Sequence, residues 1–417
     1  MHLDAVQRVL GVLLMVFSLT MLPPSLIGMA AADGVASAFL LTFALLVSLG
    51  SLLWLPVRRS RRELRTRDGF FVVAMFWVVL GVAGALPLVL QKAVPFPLVD
   101  ALFESVSGLT TTGATTIVGI ENLPISLLYY RQQLQWLGGM GIIVLAVAIL
   151  PMLGIGGMQL YRAELPGPVK DAKLTPRIAE TAKALWYIYL GLTVACALAY
   201  WAAGMGLFDA VMHAFTTVAT GGFSTYDASL GHFDSALIEM IAVVFMLISA
   251  LNYSLHFMAW RRKSTEPWRQ DPELVTYLVV VGTACVAVIG GLLIYQAAHD
   301  LPVDETWHHA IFQVVSFATT TGYTTASYYF WPAFLPVLLL FLAVVGGCAN
   351  STTGGLKVVR VLLLWRQGGR EVLRLIHPQA QVPIKIGDRP VNERVIDAVW
   401  GFFAAYVVIF VLLMLLM

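Results

Sequence analysis

Long apolar runs are the feature that most restricts how this chain can fold. They lie at 5–29, 35–57, 70–91, 124–158, 183–204, 235–260, 273–297, 332–365 and 396–417. Each is close to or above the ~20 residues that cross the ~30 Å hydrocarbon core of a bilayer. The chain is 59% hydrophobic and 12% charged, whereas a soluble domain is about one quarter charged. The sequence therefore predicts an all-α polytopic membrane protein with nine crossings.

The basic residues predict the orientation of these crossings. Most Lys and Arg fall into four clusters, at 58–67, 162–183, 261–269 and 357–394, which lie on alternate ends of the apolar runs. Cytoplasmic loops retain an excess of Lys and Arg. We therefore expect a multi-pass membrane protein with its N-terminus in the cytoplasm.

The loops on the opposite side carry acidic residues against Lys92 alone. Two interpretations stay open at this point. Acidic loops around a pore entrance raise the local concentration of cations, or these loops simply lack the basic excess of the cytoplasmic side. The acidic residues are Asp33, Asp100, Glu104, Glu121, Asp209, Asp227, Asp234, Asp300, Asp304 and Glu305.

A polar segment recurs three times when Gly113, Gly222 and Gly322 are set in register. The copies read DALFESVSGLTTTGATT, DAVMHAFTTVATGGFST and HAIFQVVSFATTTGYTT. Each has a short amphipathic run, Thr-rich sequence, the glycine, one variable residue and two hydroxyl residues, set between apolar runs. This pattern predicts repeated helix, half-helix and helix units, with Asp100 and Asp209 as N-caps of the half-helices and His309 departing in the third copy.

The Thr-Gly segments predict an ion pathway. Irregular backbone is tolerated at membrane depth only where it lines water or is packed in protein, and glycine permits the positive φ that turns carbonyls inward. Rings of carbonyls select cations by replacing their hydration shell. We interpret 319–325 and its two counterparts as ion-coordinating backbone. Helix packing by small residues is the alternative, and the threefold repetition favours the filter.

The segment GGCANSTTGGLK, at 346–357, interrupts the eighth apolar run. It does not satisfy the phosphate-binding pattern GxxxxGK[ST], because Leu356 precedes Lys357 and Val358 follows it. Its glycines and Asn350 break a helix at mid-depth, just after the third Thr-Gly segment. We interpret it as a flap that blocks the path, with a kinked, closely packed helix as the alternative.

These motifs, together with LQWLGGMGIIVLAVAILP, resemble the TrkH/KtrB-type potassium uptake proteins, from about residue 35 to the C-terminus. The resemblance implies four helix, half-helix and helix repeats around one pore, preceded by two extra helices. It also implies a filter that binds K⁺ through backbone carbonyls and an intramembrane gating loop. The implied filter residues are Thr111, Thr112, Gly113, Thr220, Gly221, Gly222, Thr320, Thr321 and Gly322, and the implied gating-loop residues are Gly346, Gly347, Asn350, Ser351, Thr352, Thr353, Gly354 and Gly355.

The resemblance further implies a homodimer and a TrkA/KtrA-like cytosolic ring of nucleotide-binding regulatory subunits. The basic segments 162–183, 261–269 and 360–394 are candidate docking surfaces for that ring, although their cytoplasmic side explains them equally well. The expected organisation is two N-terminal helices at 1–57, pore repeats at 70–158, 183–260 and 273–365, and the first helix of a fourth repeat at 396–417. A fourth filter loop would lie beyond position 417, so we expect a truncated transporter.

The expected function is inward K⁺ transport, with K⁺ and the lipid bilayer as partners, no cofactor and no nucleic acid. A non-conducting or partner-dependent fragment is the alternative, and a secondary carrier that binds a solute at broken helices is a further one. The sequence does not predict an enzyme. His213, His256, His308 and His309 show no metal-ligand spacing, and Cys196, Cys285 and Cys348 form no CxxC pair.

Overall fold

A computed structural model describes residues 2–59, 66–144, 178–299, 306–332, 334–387 and 389–416, which are mainly helical. The end of the first predicted repeat, at 145–158, lies outside the described residues, as do Asp300, Asp304, Glu305 and most of the basic segment 162–183. The all-α fold class predicted from the apolar runs is confirmed. One two-residue β-hairpin, Lys385–Ile386 with Arg389–Pro390, is the addition that helical periodicity does not predict.

The helices follow the repeat pattern of the sequence. The N-terminal pair is α1 (Leu3–Ser18), continued by a 3-10 turn and α2 (Leu22–Ala31), and α3 (Ala36–Val57). The first repeat contains α4 (Thr66–Leu90), α5 (Leu98–Leu109) and α6 (Ile125–Val144). The second contains α7 (Ile178–Ala202), α8 (Leu207–Val218), α9 (Ala236–Ser249) and α10 (Tyr253–Arg262). The third contains α11 (Glu266–Arg269), α12 (Pro272–Ala298), α13 (Thr306–Ala318), α14 (Phe334–Val345) and α15 (Val358–Ile376), and α16 (Glu393–Leu416) follows the hairpin.

The N-terminal pair packs against the first repeat. α1 and α3 touch backbone to backbone at two glycines: a Cβ on Gly11 would lie 2.8 Å from the Gly50 carbonyl oxygen, and one on Gly50 would lie 2.7 Å from the Gly11 oxygen. Small residues allow this close approach in a membrane, where lipid offers no hydrophobic drive for association. One apolar cluster joins these helices to α4, α5 and α6, and a second joins repeats 2 and 3.

The half-helices α5, α8 and α13 have 12, 12 and 13 residues. At 1.5 Å per residue each is roughly 20 Å long, which is too short to span the bilayer. Six described helices are long and apolar enough to cross, or seven if the bent pair α9 and α10 forms one span. The half-helices therefore enter the bundle and end inside it.

The predicted runs at 332–365 and 235–260 are not continuous helices, and the interruption of the first is the one that the sequence predicts. The run at 332–365 breaks between Val345 and Val358, where its glycines predict a break. The run at 235–260 bends by 89° between α9 and α10, without a glycine to signal it. The reason is local capping: the Asn252 side chain accepts from the Ser254 N–H at 2.9 Å and starts a new helix.

The last helix, α16, presents most of its apolar surface outward. In its most apolar 18-residue stretch, 6% of the residues are buried, against 28 to 44% in the other candidate spans. The N-terminal end of α16 is attached to α15 by an ion pair between the Arg370 guanidinium and the Glu393 carboxylate, which are 2.5 Å apart. An apolar helix of this length fits a lipid environment.

Candidate functional site

The half-helices α5 and α8 begin two residues before the acidic residues that the sequence predicts as their caps. The N-caps of α5 and α8 are Pro97 and Gly206, both in extended conformation, so the prediction that Asp100 and Asp209 are N-caps is wrong. Both acids instead lie in the first helical turn, where negative charge is favourable. His309 lies in the first turn of α13.

All three half-helices end in the same way, at a threonine in the left-handed region. The φ angles of Thr111, Thr220 and Thr320 are 53°, 50° and 55°. The next N–H reaches back five residues in each copy: Thr112 to Ser107 oxygen at 2.9 Å, Gly221 to Thr216 at 2.8 Å, and Thr321 to Ser316 at 2.9 Å. This is a Schellman ending, which glycine usually occupies.

A β-branched residue in this conformation is a steric outlier. Such strain costs about 1–3 kcal/mol per residue and persists where the surroundings over-determine it, which is common at functional sites. Here the same strain recurs in three loops. The recurrence indicates that the surrounding structure fixes this backbone conformation in all three loops. We name them loop 1 (110–116), loop 2 (219–225) and loop 3 (319–325).

The repeat glycines follow two residues after the strained threonines. Gly113, Gly222 and Gly322 have φ angles of 77°, 81° and 85°, whereas the residue between threonine and glycine is not among those with positive φ. In an extended strand, successive residues face opposite ways. Alternating the sign of φ cancels that alternation and brings successive peptide groups to one side, as in backbone nests. The loops can therefore present carbonyls in one direction.

The loops pack against one another in chain order. A Cβ on Gly113 would fall closer than 3.0 Å to the Gly221 carbonyl oxygen, and one on Gly222 would do the same with the Thr321 oxygen. Among the described residues, no atom lies within 4 Å of the Cβ position on Gly322. Loops 1, 2 and 3 therefore form adjacent walls, in which each of the first two glycines accommodates the next carbonyl.

Loop 2 is also held from behind by Gln135 of α6, a contact that sequence patterning does not predict. The Gln135 amide donates to the Gly221 oxygen at 2.7 Å and accepts from the Phe223 N–H at 3.0 Å. One lone pair of the Gly221 carbonyl is thus engaged by protein. The glycine pair in the same helix brings α6 close, because a Cβ on Gly138 would clash with the Leu109 oxygen.

A buried ion pair braces loop 1. Arg131 of α6 and Glu104 of α5 lie 3.1 Å apart, and each side chain is 1% exposed. The Glu104 carboxylate also accepts from the Thr115 hydroxyl and from the Thr116 N–H, the latter at 3.0 Å. Glu104 is therefore a structural residue and not part of an open acidic entrance. A lone arginine in an apolar run is the signal that could have revealed it.

Loop 2 has a different brace. The Asp209 carboxylate accepts from the Thr225 hydroxyl at 2.8 Å and from the Tyr226 hydroxyl at 3.1 Å. Burial and the Asp209 charge raise the pKa of Tyr226, so its phenol stays protonated as a donor. The buried His213 imidazole bonds to the Asp209 carbonyl oxygen and to the Ser224 hydroxyl, both at 2.9 Å. His213 is thus packed and hydrogen-bonded.

Asp227 joins the segments that leave loops 1 and 2. Its carboxylate accepts from the N–H groups of Gly119 and Ile120 at 2.6 and 2.9 Å. The Gly231 N–H in turn donates to the Thr324 oxygen of loop 3 at 3.1 Å. The three exits therefore converge on one side of the bundle, and several predicted acidic residues of that side serve as hydrogen-bond acceptors.

The segment 346–355 lies on the opposite side of the loops, against the strained threonines. The Gly354 N–H donates to the Thr320 hydroxyl at 2.7 Å, and the Thr220 and Thr352 hydroxyls are 3.1 Å apart. Ser351, Thr352 and Thr353 are buried. The predicted gating segment therefore directly contacts two of the three predicted filter loops.

This segment fits into the break between α9 and α10. The Cys348 N–H donates to the Ala250 oxygen at 2.9 Å, and the Tyr253 N–H donates to the Asn350 oxygen at 3.1 Å. The Asn350 amide donates to the Ser254 hydroxyl at 2.7 Å. Each break in the helical ladder thus supplies partners for the backbone groups of the other, which membrane-buried backbone requires.

Short helices that end in strained, uncharged loops within a bundle of membrane-length helices are typical of membrane transport proteins. The chain belongs to the TrkH family, because the family model described as "Cation transport protein" matches residues 35–416. This family is one of transport proteins, not of enzymes.

Relatives of known name are similar over nearly the whole chain. "Trk system potassium uptake protein TrkH" of Halomonas elongata is 56% identical over 414 residues, covering 99% of this chain and 85% of the relative. The protein of the same name from Escherichia coli K12 is 54% identical over 418 residues, covering 100% and 86%. The crystal structure of the potassium transporter TrkH from Vibrio parahaemolyticus matches with a TM-score of 0.90 and 50% identity, covering 100% of this chain and 85% of that one.

The buried ion pair of loop 1 leads to a stability prediction. Removing one partner leaves an uncompensated buried charge, which costs about 3–5 kcal/mol. We expect Arg131→Gln to lower the free energy of unfolding by that amount, and Glu104→Gln/Arg131→Gln to cost less than the sum of the two single changes. Unfolding of the detergent-purified protein, followed by tryptophan fluorescence, measures this.

The matched control is Arg374→Gln, which removes an exposed ion pair of α15 with Glu371 at 3.1 Å. Exposed pairs contribute about 0–1 kcal/mol, so this variant should remain close to the parent. A comparable loss in both arginine variants would contradict the structural role of the buried pair.

Proposed function

We propose that this chain is the ion-conducting subunit of an inner-membrane K⁺ uptake system. The observation that carries the proposal is the register of loops 1, 2 and 3, which repeat the same strained backbone and pack against one another in order. Membership of a cation transport family and relatives named as potassium uptake proteins support K⁺ as the ion. K⁺ is the transported ion here, not a resident cofactor.

The proposed filter binds K⁺ through backbone carbonyls. Carbonyl oxygens replace the hydration shell of a cation without adding fixed charge, and the carboxyl ends of α5, α8 and α13 add partial negative charge at the same place. The contributing residues are Thr111, Thr112, Gly113, Thr220, Gly221, Gly222, Thr320, Thr321 and Gly322. Each loop has one such glycine, so we expect few stacked sites and looser K⁺ over Na⁺ discrimination than in a strict K⁺ channel.

The proposed gate is the segment 346–355. Its residues are Gly346, Gly347, Asn350, Ser351, Thr352, Thr353, Gly354 and Gly355. It contacts the filter threonines directly, so an ion leaving the loops on that side would meet it. Opening must break the hydrogen bonds to Thr220 and Thr320 and those in the break between α9 and α10, which gives the closed position a defined energy.

We extend the proposal to the assembly and its orientation. The N-terminus would face the cytoplasm, where the basic segments 261–269 and 360–394 offer docking surfaces for a nucleotide-binding TrkA/KtrA-like ring. The name "Trk system" of the relatives is consistent with regulatory partners. A homodimer is part of the same proposal, as the resemblance implies.

A second candidate, partner-dependent conduction, is favoured by one observation. Gly113 and Gly222 each lie against a carbonyl oxygen of the next loop, so the same order would place a carbonyl against Gly322. Among the described residues, no atom lies within 4 Å of the Cβ position on Gly322. Thr112, at the other end of the order, is exposed, whereas its counterparts Gly221 and Thr321 are buried. A fourth wall between Gly322 and Thr112 would close the pathway.

Flux measurements test these candidates. The purified chain is reconstituted in liposomes, alone and mixed with a relative, and K⁺ flux is measured. We expect K⁺-dependent flux. We also expect expression of the chain to restore growth on low K⁺ to cells that lack K⁺ uptake. Current from this chain alone supports conduction without a partner. No flux from this chain alone, with flux in the mixture above that of the relative alone, supports the second candidate. Flux driven by a solute without K⁺ would favour a secondary carrier.

The glycine packing leads to a selectivity prediction. Serine at Gly113 or Gly222 adds a Cβ at positive φ and within 3.0 Å of a neighbouring carbonyl oxygen, so the loop must shift. We expect both variants to lose K⁺ over Na⁺ selectivity in liposome flux. Gly282→Ser in α12 is the matched control, because no described atom lies within 4 Å of its Cβ position. Unchanged selectivity in both loop variants would refute the filter assignment.

The gate contacts lead to a second flux prediction. Thr352→Val keeps the side-chain shape and removes the hydroxyl that meets Thr220. A net contribution of about 1 kcal/mol per hydrogen bond corresponds to about a fivefold change in the open fraction. We therefore expect a severalfold higher basal K⁺ flux. Thr283→Val is the control, because this exposed hydroxyl donates to the Val279 and Val280 carbonyl oxygens of its own helix. Flux in Thr352→Val that is equal to or lower than that of the parent would argue against the gate.

A further inference from the structure

A cluster of two histidines and one glutamate lies beside loop 3, apart from the proposed ion path. The Nδ1 atom of His308 is 2.8 Å from the Glu239 carboxylate, and the Nδ1 atom of His309 is 3.5 Å from the same oxygen. The potential ligand atoms of the three residues all lie within 4.8 Å of one another. The spacing of residues in the sequence does not predict this cluster, because Glu239 and His308 are 69 positions apart. The fold brings Glu239 to His308 and His309, which show no metal-ligand spacing in the sequence.

The cluster contains a buried carboxylate, that of Glu239. The Glu239 side chain is 3% exposed, and a buried carboxylate is costly unless a cation compensates it. In repeat 1 the buried Glu104 faces the guanidinium of Arg131. Among the described residues, the ion pairs of Glu239 are with the imidazoles of His308 and His309, and a bound cation would compensate the carboxylate charge.

We propose that Glu239, His308 and His309 form a binding site for a divalent transition metal, of which Zn²⁺ is the best match. Two imidazole nitrogens and one carboxylate oxygen are a common zinc ligand set, with water in the fourth position. Zinc–ligand distances of about 2.0–2.1 Å in a tetrahedron place ligand atoms about 3.3 Å apart. The separations of 2.8 and 3.5 Å are within sub-ångström adjustments of that geometry.

Access to the cluster is provided by His309, whose side chain is 32% exposed, while His308 and Glu239 are 5% and 3% exposed. A metal ion can therefore reach the partly open histidine first and then engage the two buried ligands. The two rings already lie side by side, with centroids 4.0 Å apart. Glu239 of α9 and the two histidines of α13 are therefore already close together without a metal.

Metal binding would act on loop 3 through His309. Its Nδ1 atom is 3.0 Å from the Thr325 hydroxyl, and Thr325 follows Gly322 by three positions in the same loop. An Nδ1 lone pair that binds the metal is no longer available to this contact. Occupation of the site therefore replaces one brace of loop 3 and should lower K⁺ flux.

The binding test uses Zn²⁺ itself and, for spectroscopy, Co²⁺. We expect the purified protein in nanodiscs to bind one Zn²⁺ per chain in titration calorimetry, and Co²⁺ to give the strong visible absorption of a tetrahedral site. Changing supporting residues of a metal site costs about 10–100-fold in affinity, so loss of a ligand in His309→Gln should weaken Zn²⁺ binding at least 100-fold. Glu239→Gln should do the same if it folds.

The matched control is His299→Gln, an exposed histidine whose Nδ1 contacts the Tyr295 oxygen of its own helix. It should bind Zn²⁺ like the parent. Equal Zn²⁺ affinity in the parent and in His309→Gln, or no saturable binding to the parent, would overturn the site. Because His309 is partly exposed, misfolding of that variant is not expected, and its elution profile in size-exclusion chromatography checks it.

The flux test rests on the proposed K⁺ uptake, whereas the binding test does not. Zn²⁺ added outside should reduce K⁺ flux severalfold in the parent and in His299→Gln but not in His309→Gln. Saturable binding without any change in flux would refute the action on loop 3 and leave the site standing. Absence of K⁺ flux in every protein, with Zn²⁺ still bound, would count against the proposed function and not against the site.

Discussion

The hydrogen-bonding demand of irregular backbone inside a membrane governs this structure. Loops 1, 2 and 3 leave the helical ladder where lipid offers no partners, so protein groups must supply them. The half-helices do so through Schellman endings at Thr111, Thr220 and Thr320. Hydroxyls of the same half-helices hold the far limbs, since Ser107 donates to the Ala114 oxygen at 2.6 Å and Ser316 donates to the Tyr323 oxygen at 2.7 Å. These hydrogen bonds replace part of the helical ladder that the loops leave and so offset the strain.

The same demand couples the segment 346–355 to the scaffold. Its backbone bonds to the break between α9 and α10, and the Glu273 carboxylate of α12 accepts from the Ala349 and Val359 N–H groups at 2.6 and 3.3 Å. These contacts reach helices of two repeats and the start of α15. A movement of this segment therefore cannot be a local loop flip. It must exchange hydrogen bonds with α10 and α12 together, which makes a cooperative two-position change more favourable than a continuous one.

The sequence predicts those parts of the structure that depend on neighbouring residues. The three repeats, their short helices and the break at 346–357 follow from the local pattern of threonine, glycine and apolar residues. The braces could not be predicted in this way, because Gln135 meets Gly221 across 86 positions and Arg131 meets Glu104 across 27. The bend before Asn252 is not marked by a local glycine: besides the Asn252 cap, the partners that stabilise it lie in the distant segment 346–355.

The three loops share their backbone geometry but differ in the side chains that hold them. Loop 1 uses Glu104 with Arg131, loop 2 uses Asp209 with Tyr226, and loop 3 uses His309 with Thr325. An ion pathway needs a common backbone geometry, because the carbonyls of all walls must meet one ion at equal distance. Under the proposed function, the side chains that brace the loops carry no such requirement. Different side chains can therefore hold each loop without altering its backbone geometry, and His309, which braces loop 3, is partly exposed.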